Sequence, residues 1–304
     1  MSTSKMAGKA AKSKYDPQFT DQVIAATGPK AHPRLAQIMP SLLRHLHDFA
    51  REVDLTVAEW AAGVDLINEA GLMSDSKRNE TGLLCDILGL ESLVDEITSK
   101  LLLSAGAEST ATPSAVLGPF YRENAPVLPN GSSIVLAARD SAWYREAEPL
   151  LAHISGRVVS ASSGKPIANA VVDVWLAGPN GMYEQQDTSQ PDMNLRGRFR
   201  TDADGKYVLY ALRPTAYPIP LDGPAGRVLQ LLDRHPYRPA HVHFIVGAEG
   251  FRALTTQVFD REDPYVKDDS VFATKDELLV DFKKRDGDDR AHWSLVYDFA
   301  LCET

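Results

Sequence analysis

Arg238-Pro-Ala-His241-Val-His243-Phe244-Ile-Val246 is the stretch on which the reading of this chain turns. In an extended strand successive side chains point to opposite faces, so His241 and His243 project to one side and Val242, Phe244 and Val246 to the other. The apolar side predicts a sheet packed on a hydrophobic core. The other side brings two imidazoles together, and neutral imidazole is the commonest nitrogen ligand of first-row metals. Two of them on one rigid strand need only one or two further groups to complete a site.

Outward from this strand the texture is that of short strands and tight turns. His153–Val159 and Ala170–Trp175 read as strands separated by the turn Ser163-Gly-Lys-Pro166, and Thr201-Asp-Ala-Asp-Gly-Lys206 leads into a strand over Tyr207–Tyr210. Ala253–Phe259 and Ser294–Ala300 continue the pattern. Strands at this spacing predict a β-sandwich from residue 113 to residue 304. Before it the period is helical: Leu35, Ile38, Met39, Leu42, Leu43, Leu46 and Phe49 share one face, Thr56-Val-Ala-Glu59 is a capping box, and a further helix spans roughly Arg78 to Leu103 with an interruption at Gly89. The expected class is α+β: a disordered start over residues 1–15, a helical region of three or four helices over 16–112, and the sandwich. Broad apolar faces on so small a helical region predict that it packs on a neighbour.

Composition excludes several functions. The 304 residues are 44% apolar and 24% charged, ordinary for a globular protein, and the formal charge of −9 with no basic stripe argues against a nucleic-acid partner. Cys85 and Cys302 are too few and too far apart for a disulfide framework or a thiolate cage. No run approaches the roughly 18 apolar residues of a membrane span, and no apolar run follows the charges of the N-terminus, so the expectation is a cytoplasmic protein.

The groups that complete a site at His241 and His243 are therefore not thiolates. Glu249 lies roughly where a cupin-like His-x-His…Glu pattern would place a carboxylate, which would make an Fe(II) or zinc site. Tyr183, after the turn Gly178-Pro-Asn-Gly181, and Tyr217, in the Pro-flanked loop Arg213–Pro220, are the other candidates. A phenol with a free pKa near 10 is a good ligand only to a strongly Lewis-acidic ion, which points to ferric iron. Taken singly, each residue has a plainer reading: Tyr183 and Tyr217 as packing aromatics, Arg238 as an ion-pair residue, Gln257 as a polar strand residue, Asp86 as a solvated helix position, and His45 and His47 as surface residues. His292 has no matched partner.

The set, with its contexts, resembles the intradiol ring-cleavage dioxygenases of the catechol 1,2-dioxygenase and hydroxyquinol 1,2-dioxygenase type. The residues that carry the resemblance are Ala170–Trp175, Gly181-Met-Tyr183, Tyr217 in its loop, Arg234–Phe244 and Leu254-Thr-Thr-Gln257. Leu117-Gly-Pro-Phe-Tyr121 and Ala216–Pro224 resemble the hydroxyquinol branch more. The resemblance covers nearly the whole chain after the first fifteen or so residues. It implies one mononuclear non-haem Fe(III) per subunit, held by Tyr183, Tyr217, His241 and His243. A small aromatic diol would be opened with O2 between its adjacent hydroxyls, giving a muconate or maleylacetate, and the residue at Tyr217 would take a substrate proton. It implies catalytic roles for Arg238 and Gln257, and pocket positions at Leu83, Asp86, Val116, Leu117 and Gly118, and again at Pro119, Phe120, Phe272 and Ala273. Asp86 would accept a hydrogen bond from a third substrate hydroxyl. The resemblance further implies a homodimer made through the N-terminal helices, with room for a lipid at that interface. A reading from a different class stays open, because Gly156–Val159 with Ser163–Val174 and Thr201–Tyr207 also resembles prealbumin-like modules that bind without reacting.

Overall fold

A computed structural model of the chain describes residues 15–106 and 110–304. The expected disordered start, but for Tyr15, lies outside the described residues. By its internal contacts the chain forms two units, Met1–Leu66 and Ile67–Thr304.

The first unit holds α1 (Phe19–Ala25), α2 (Pro33–Glu52) and the beginning of α3 (Val57–Met73). Pro33 opens α2, where its missing N–H costs nothing. The capping box forms as read: Thr56 N donates to Glu59 Oε2 at 2.9 Å and Glu59 N to Thr56 Oγ1 at 3.3 Å. His47 is not a plain surface residue. Its ring stacks on Phe19 and its Nδ1 lies 3.0 Å from Thr20 Oγ1, which ties α1 to α2.

In the second unit the helix expected over Arg78–Leu103 is two, α4 (Glu80–Ile87) and α5 (Leu90–Ser104), broken at Gly89. The helices up to Ser104 are therefore five among the described residues, not three or four. Two more follow, α6 (Ala142–Ala147) and α7 (Pro224–Leu231). None of the described helices is long and apolar enough to cross a membrane.

The strands are β1 (Leu151–Ser160), β2 (Val171–Trp175), β3 (Arg196–Arg200), β4 (Lys206–Leu212), β5 (Tyr217–Pro218), β6 (Tyr237–Arg238), β7 (His241–Gly247), β8 (Leu254–Asp260), β9 (Leu279–Val280), β10 (Lys283–Lys284), β11 (Trp293–Val296) and β12 (Phe299–Leu301). One sheet is centred on β1, antiparallel to β4 on one edge and parallel to β11 and then β12 along the other. The stretch Ser294–Ala300 is thus two short strands rather than one. The other sheet runs β3-β2-β7-β8-β9. Ile154, Val158, Leu209 and Phe299 of the first sheet and Val172, Val174, Val242, Phe244 and Val246 of the second are all buried in one core. The architecture is α+β, with a helical N-terminal region and a β-sandwich. The alternation read from His241 to Val246 puts the two imidazoles on the outer face of the second sheet, away from that core.

Candidate active site

The outer face of the second sheet is built by register. Across β2, β7 and β8, Trp175 stands opposite His243 and His243 opposite Gln257, while His241 stands opposite Phe259. The indole of Trp175 stacks on the His243 ring. Tyr217 comes from β5, whose partner β6 places it opposite Arg238. Tyr183 comes from the loop after β2, with the ring of Phe120 stacked against it at 5.0 Å. Two glycines permit these approaches. A Cβ on Gly181, at φ +77°, would fall 2.7 Å from the Cβ of Tyr217, and one on Gly118, at φ +79°, would fall 3.1 Å from His243 Cε1.

Four side-chain atoms converge. Tyr183 Oη lies 3.1 Å from Tyr217 Oη and 3.1 Å from His243 Nε2, which lies 3.1 Å from His241 Nε2. Separations of this size are what ligands about 2 Å from a common ion leave between themselves. His241 Nδ1 sits 2.7 Å from the carbonyl oxygen of Pro239, which can only accept, so Nδ1 carries the proton and Nε2 keeps its lone pair toward the other three atoms. His243 Nδ1 is buried without a hydrogen-bond partner among the described residues, so the bonding capacity of that ring is directed through Nε2.

Electrostatics prepare the same atoms. Burial pushes His241 down to about 3 and His243 well below its ordinary range, each helped by the Arg238 charge, so both imidazoles are neutral. Burial raises both phenols. For Tyr217 the neighbouring Arg238 charge opposes that rise. Phenolate in so dry a place needs a strong cation beside it. Two phenol oxygens and two neutral imidazole nitrogens are a donor set suited to a hard, highly charged transition-metal ion. Among the described residues no group of three or more His, Cys, Asp or Glu is placed to hold a metal. Glu249, the cupin-like alternative, is exposed in the turn after β7, beyond the far end of the strand from His241.

Arg238 is buried beside this cluster. Its Nη1 lies 3.0 Å from His241 Nε2, and its Nη2 donates to Gln257 Oε1 at 3.0 Å, while Gln257 Nε2 donates to the Val116 carbonyl at 2.6 Å. Of the expected pocket residues, Leu83, Asp86, Val116, Phe120 and Ala273 are buried, and Leu117, Gly118 and Pro119 are half-buried. The Pro119 carbonyl accepts from Asn79 N at 3.1 Å and Leu117 N donates to Glu91 Oε1 at 2.8 Å, which ties the 116–120 loop to α4 and α5. Phe272 is 57% exposed under the Arg234 guanidinium, and with Val116 and Ala273 it borders a cavity of about 580 Å³ that reaches Gly89. Asp86 is not solvated. It is 2% exposed, its Oδ1 has no partner among the described residues, and its carboxyl is pushed up to about 9 by burial and by its hydrogen bond with Glu91.

The structure adds residues that pattern reading passed over. Arg196, 1% exposed, donates through Nε to Glu184 Oε2 at 2.7 Å and through Nη2 to the Phe120 carbonyl at 2.8 Å, with its guanidinium 5.6 Å from the Tyr183 ring centroid. The alternation Arg196-Gly-Arg-Phe-Arg200 was the available signal of a strand with one charged face. Asp269, bound to Arg238, carried none. His292 has a partner after all, Glu148, at 2.6 Å.

Comparison with known proteins gives the family. The family profile described as Dioxygenase matches residues 118–303, and that described as Catechol dioxygenase N terminus matches residues 32–105. A catechol 1,2-dioxygenase of Candida albicans is 45% identical over 289 residues, covering 93% of this chain and 91% of its own length. A hydroxyquinol 1,2-dioxygenase of Rhizobium sp. is 40% identical over 291 residues, covering 92% and 93%. The crystal structure of a hydroxyquinol 1,2-dioxygenase from Pseudomonas putida superposes with a TM-score of 0.77 at 38% identity, covering 94% of this chain and 97% of that one. The chain belongs to the intradiol ring-cleavage dioxygenases. It is accordingly an enzyme, an oxidoreductase of that type, and the reading as a non-catalytic binding module is set aside.

Proposed function

We propose that this enzyme is a non-haem Fe(III) dioxygenase that opens hydroxyquinol between its two adjacent hydroxyls with O2, giving maleylacetate by way of 3-hydroxy-cis,cis-muconate. The observation that carries the reading is the convergence of Tyr183 Oη, Tyr217 Oη, His241 Nε2 and His243 Nε2 at successive separations of 3.1 Å. These four would hold one mononuclear iron. When bound, Fe(III) supplies the template and electron sink through which a diol and O2 combine.

The protein's own part is positional and electrostatic. A diol that binds as its dianion must lose two protons, and Tyr217 Oη is the atom we assign to take one of them. Arg238 sets a fixed positive charge, and Gln257 an amide, beside the place where negative character develops on the ring. The 116–120 loop, with Gly118 against His243 and Phe120 stacked on Tyr183, would limit the access of water to the site. Asp86, neutral and with no partner for Oδ1 among the described residues, can accept a hydrogen bond from a third ring hydroxyl, which is the reason for preferring hydroxyquinol. Catechol as the main substrate is the second reading, favoured by the 45% identity to the Candida albicans enzyme.

Within its own unit α2 leaves Leu35, Ile38, Leu42, Leu46 and Phe49 exposed, an apolar stripe that fits a second copy of the chain. Oxygen uptake with hydroxyquinol, catechol, chlorocatechols and protocatechuate, read with product spectra, tests the substrate assignment. Hydroxyquinol should turn over fastest, and Asp86→Ala should erase that preference. A preference that survives Asp86→Ala, or faster turnover of catechol by the unaltered enzyme, would reject it. A purified protein that is colourless after iron reconstitution would reject the metal assignment.

A further inference from the structure

Arg238 is a buried guanidinium with work to do at the edge of the site, and a long side chain of this kind has no fixed plane of its own. Its Nε donates to Asp269 Oδ1 at 3.1 Å and its Nη2 to Asp269 Oδ2 at 3.2 Å, a two-point grip on one edge of the fork. The other edge, Nη1, is thereby turned to His241 Nε2 at 3.0 Å, and the guanidinium also acts on the Tyr217 phenol by its charge and a hydrogen bond. Asp269 is itself fixed. Its Oδ1 accepts from Val271 N at 3.2 Å, and its Oδ2 from Ala273 N at 3.1 Å and Thr274 Oγ1 at 3.4 Å. The carboxylate is only 6% exposed, and burial is the largest single influence on it, yet the Arg238 charge and the hydrogen bonds from Arg238 and Val271 N together outweigh burial and hold it below the usual carboxylate range. The same loop carries Phe272 at φ +59° and Ala273 at the cavity wall.

Resting on the function proposed above, we infer that Asp269 is a positioning residue for ring cleavage, which sets the plane of the Arg238 guanidinium and locks it to the 271–273 wall of the pocket. An Arg238 released from Asp269 would keep its charge but lose the orientation that presents Nη1 and Nη2 to Tyr217, His241 and Gln257. Asp269 would act through Arg238 and touch no reacting atom.

The test is a double-mutant cycle on the full-length iron-loaded enzyme with Asp269→Asn, Arg238→Met and the pair. Asp269→Asn should lower kcat roughly 10- to 100-fold while iron content stays as in the unaltered enzyme. In the Arg238→Met background Asp269→Asn should change kcat by less than about threefold, because the residue it acts through is gone. Losses that multiply would overturn the inference. The thermal midpoint of the metal-free protein gives a second cycle: each single variant strands a buried partner, so the pair should be destabilised by less than the sum of the singles, and strict additivity would overturn the inference independently of activity. Should Asp269→Asn not fold, Arg238→Lys decides, since it keeps the charge without the fork. A kcat at least about tenfold lower supports the inference, and one retained within about twofold overturns it. If the unaltered protein shows neither colour nor ring cleavage, the proposed function fails, while the midpoint cycle still reads whether Asp269 and Arg238 are coupled.

Discussion

The indole of Trp175 lies flat against the imidazole of His243, with ring centroids 4.7 Å apart and planes 10° from parallel. The two residues are cross-strand partners on β2 and β7, so the stacking follows directly from the register of the sheet. His243 has no hydrogen-bond partner at Nδ1 among the described residues, so the stack is what orients its ring. Trp175→Leu should therefore do more than leave a cavity. We expect roughly 2–4 kcal/mol of lost stability, measured by denaturant unfolding, and in addition iron released to a chelator roughly 10 to 100 times more readily. A loss of stability with unchanged iron retention would mean that the stack is packing only.

Replacing one phenol or the exposed carboxylate separates the ferric reading from the cupin-like one. Tyr183 Oη touches two of the other three donors, whereas Glu249 sits in an exposed turn. Tyr183→Phe should abolish the visible band and reduce bound iron to a small fraction of the unaltered value. Glu249→Gln should change neither by more than about 0.5 kcal/mol in stability or binding, as expected of a surface substitution. Metal analysis and absorption spectra of the two purified variants check both outcomes.

Much of this arrangement was legible because it follows period. The alternation from His241 to Val246 put the imidazoles and the core residues on opposite faces, and the capping box at Thr56 and Glu59 marked the start of α3. What was not legible lies where long-range contact decides burial. Asp269 follows Asp268 in a polar segment and reads as one of a solvated pair, yet one is buried against Arg238 and the other is exposed near His235. Arg196 sits in an arginine-rich strand whose composition suggests an edge in water, and it is sequestered by Glu184 and the Phe120 carbonyl. Ser294–Ala300 alternates like a single strand, but its two halves pair with successive parts of β1 and break between Val296 and Phe299.

Asp86 carries a pH dependence whose sign can be worked out. Its carboxyl is pushed up to about 9 by burial first, then by its hydrogen bond with Glu91 and the charge there, with Arg238 opposing. In the unfolded chain an aspartate titrates near 3.9. Between these values the folded protein holds a proton that the unfolded chain has released, so this site's contribution to stability falls as pH rises from about 4 to about 9, on the order of 1 kcal/mol per pH unit. Asp86→Asn is uncharged throughout and lacks that slope. Unfolding of both proteins across this window should show the asparagine variant gaining on the unaltered one as pH rises. A gap that does not change with pH would show that Asp86 is ionised in the folded state.

The contact between the two tyrosine-bearing segments makes the last prediction, because it depends on a missing side chain. Gly181 adopts φ +77°, and a Cβ there would meet the Tyr217 Cβ at 2.7 Å and its Cα at 3.6 Å. Alanine at this position would bring left-handed strain of about 1–2 kcal/mol and would also push the Tyr217 segment, which β5 and β6 hold opposite Arg238, away from Tyr183. The strain alone would lower the melting temperature by a few degrees. The displacement predicts a different signature: Tyr183 and both histidines keep their places, so iron still binds, but the visible band should shift and weaken as one phenol is drawn off, with kcat falling more than KM rises. Gly118→Ala is the matched comparison. It has a similar positive φ, but its Cβ would press on His243 Cε1 at 3.1 Å and leave Tyr217 alone. If the two variants lose the same stability and only Gly181→Ala changes the band, the Tyr217 segment is held in place by the close approach at Gly181. If both change it alike, the band reports general loosening of the site, and Gly181 has no particular part in presenting Tyr217.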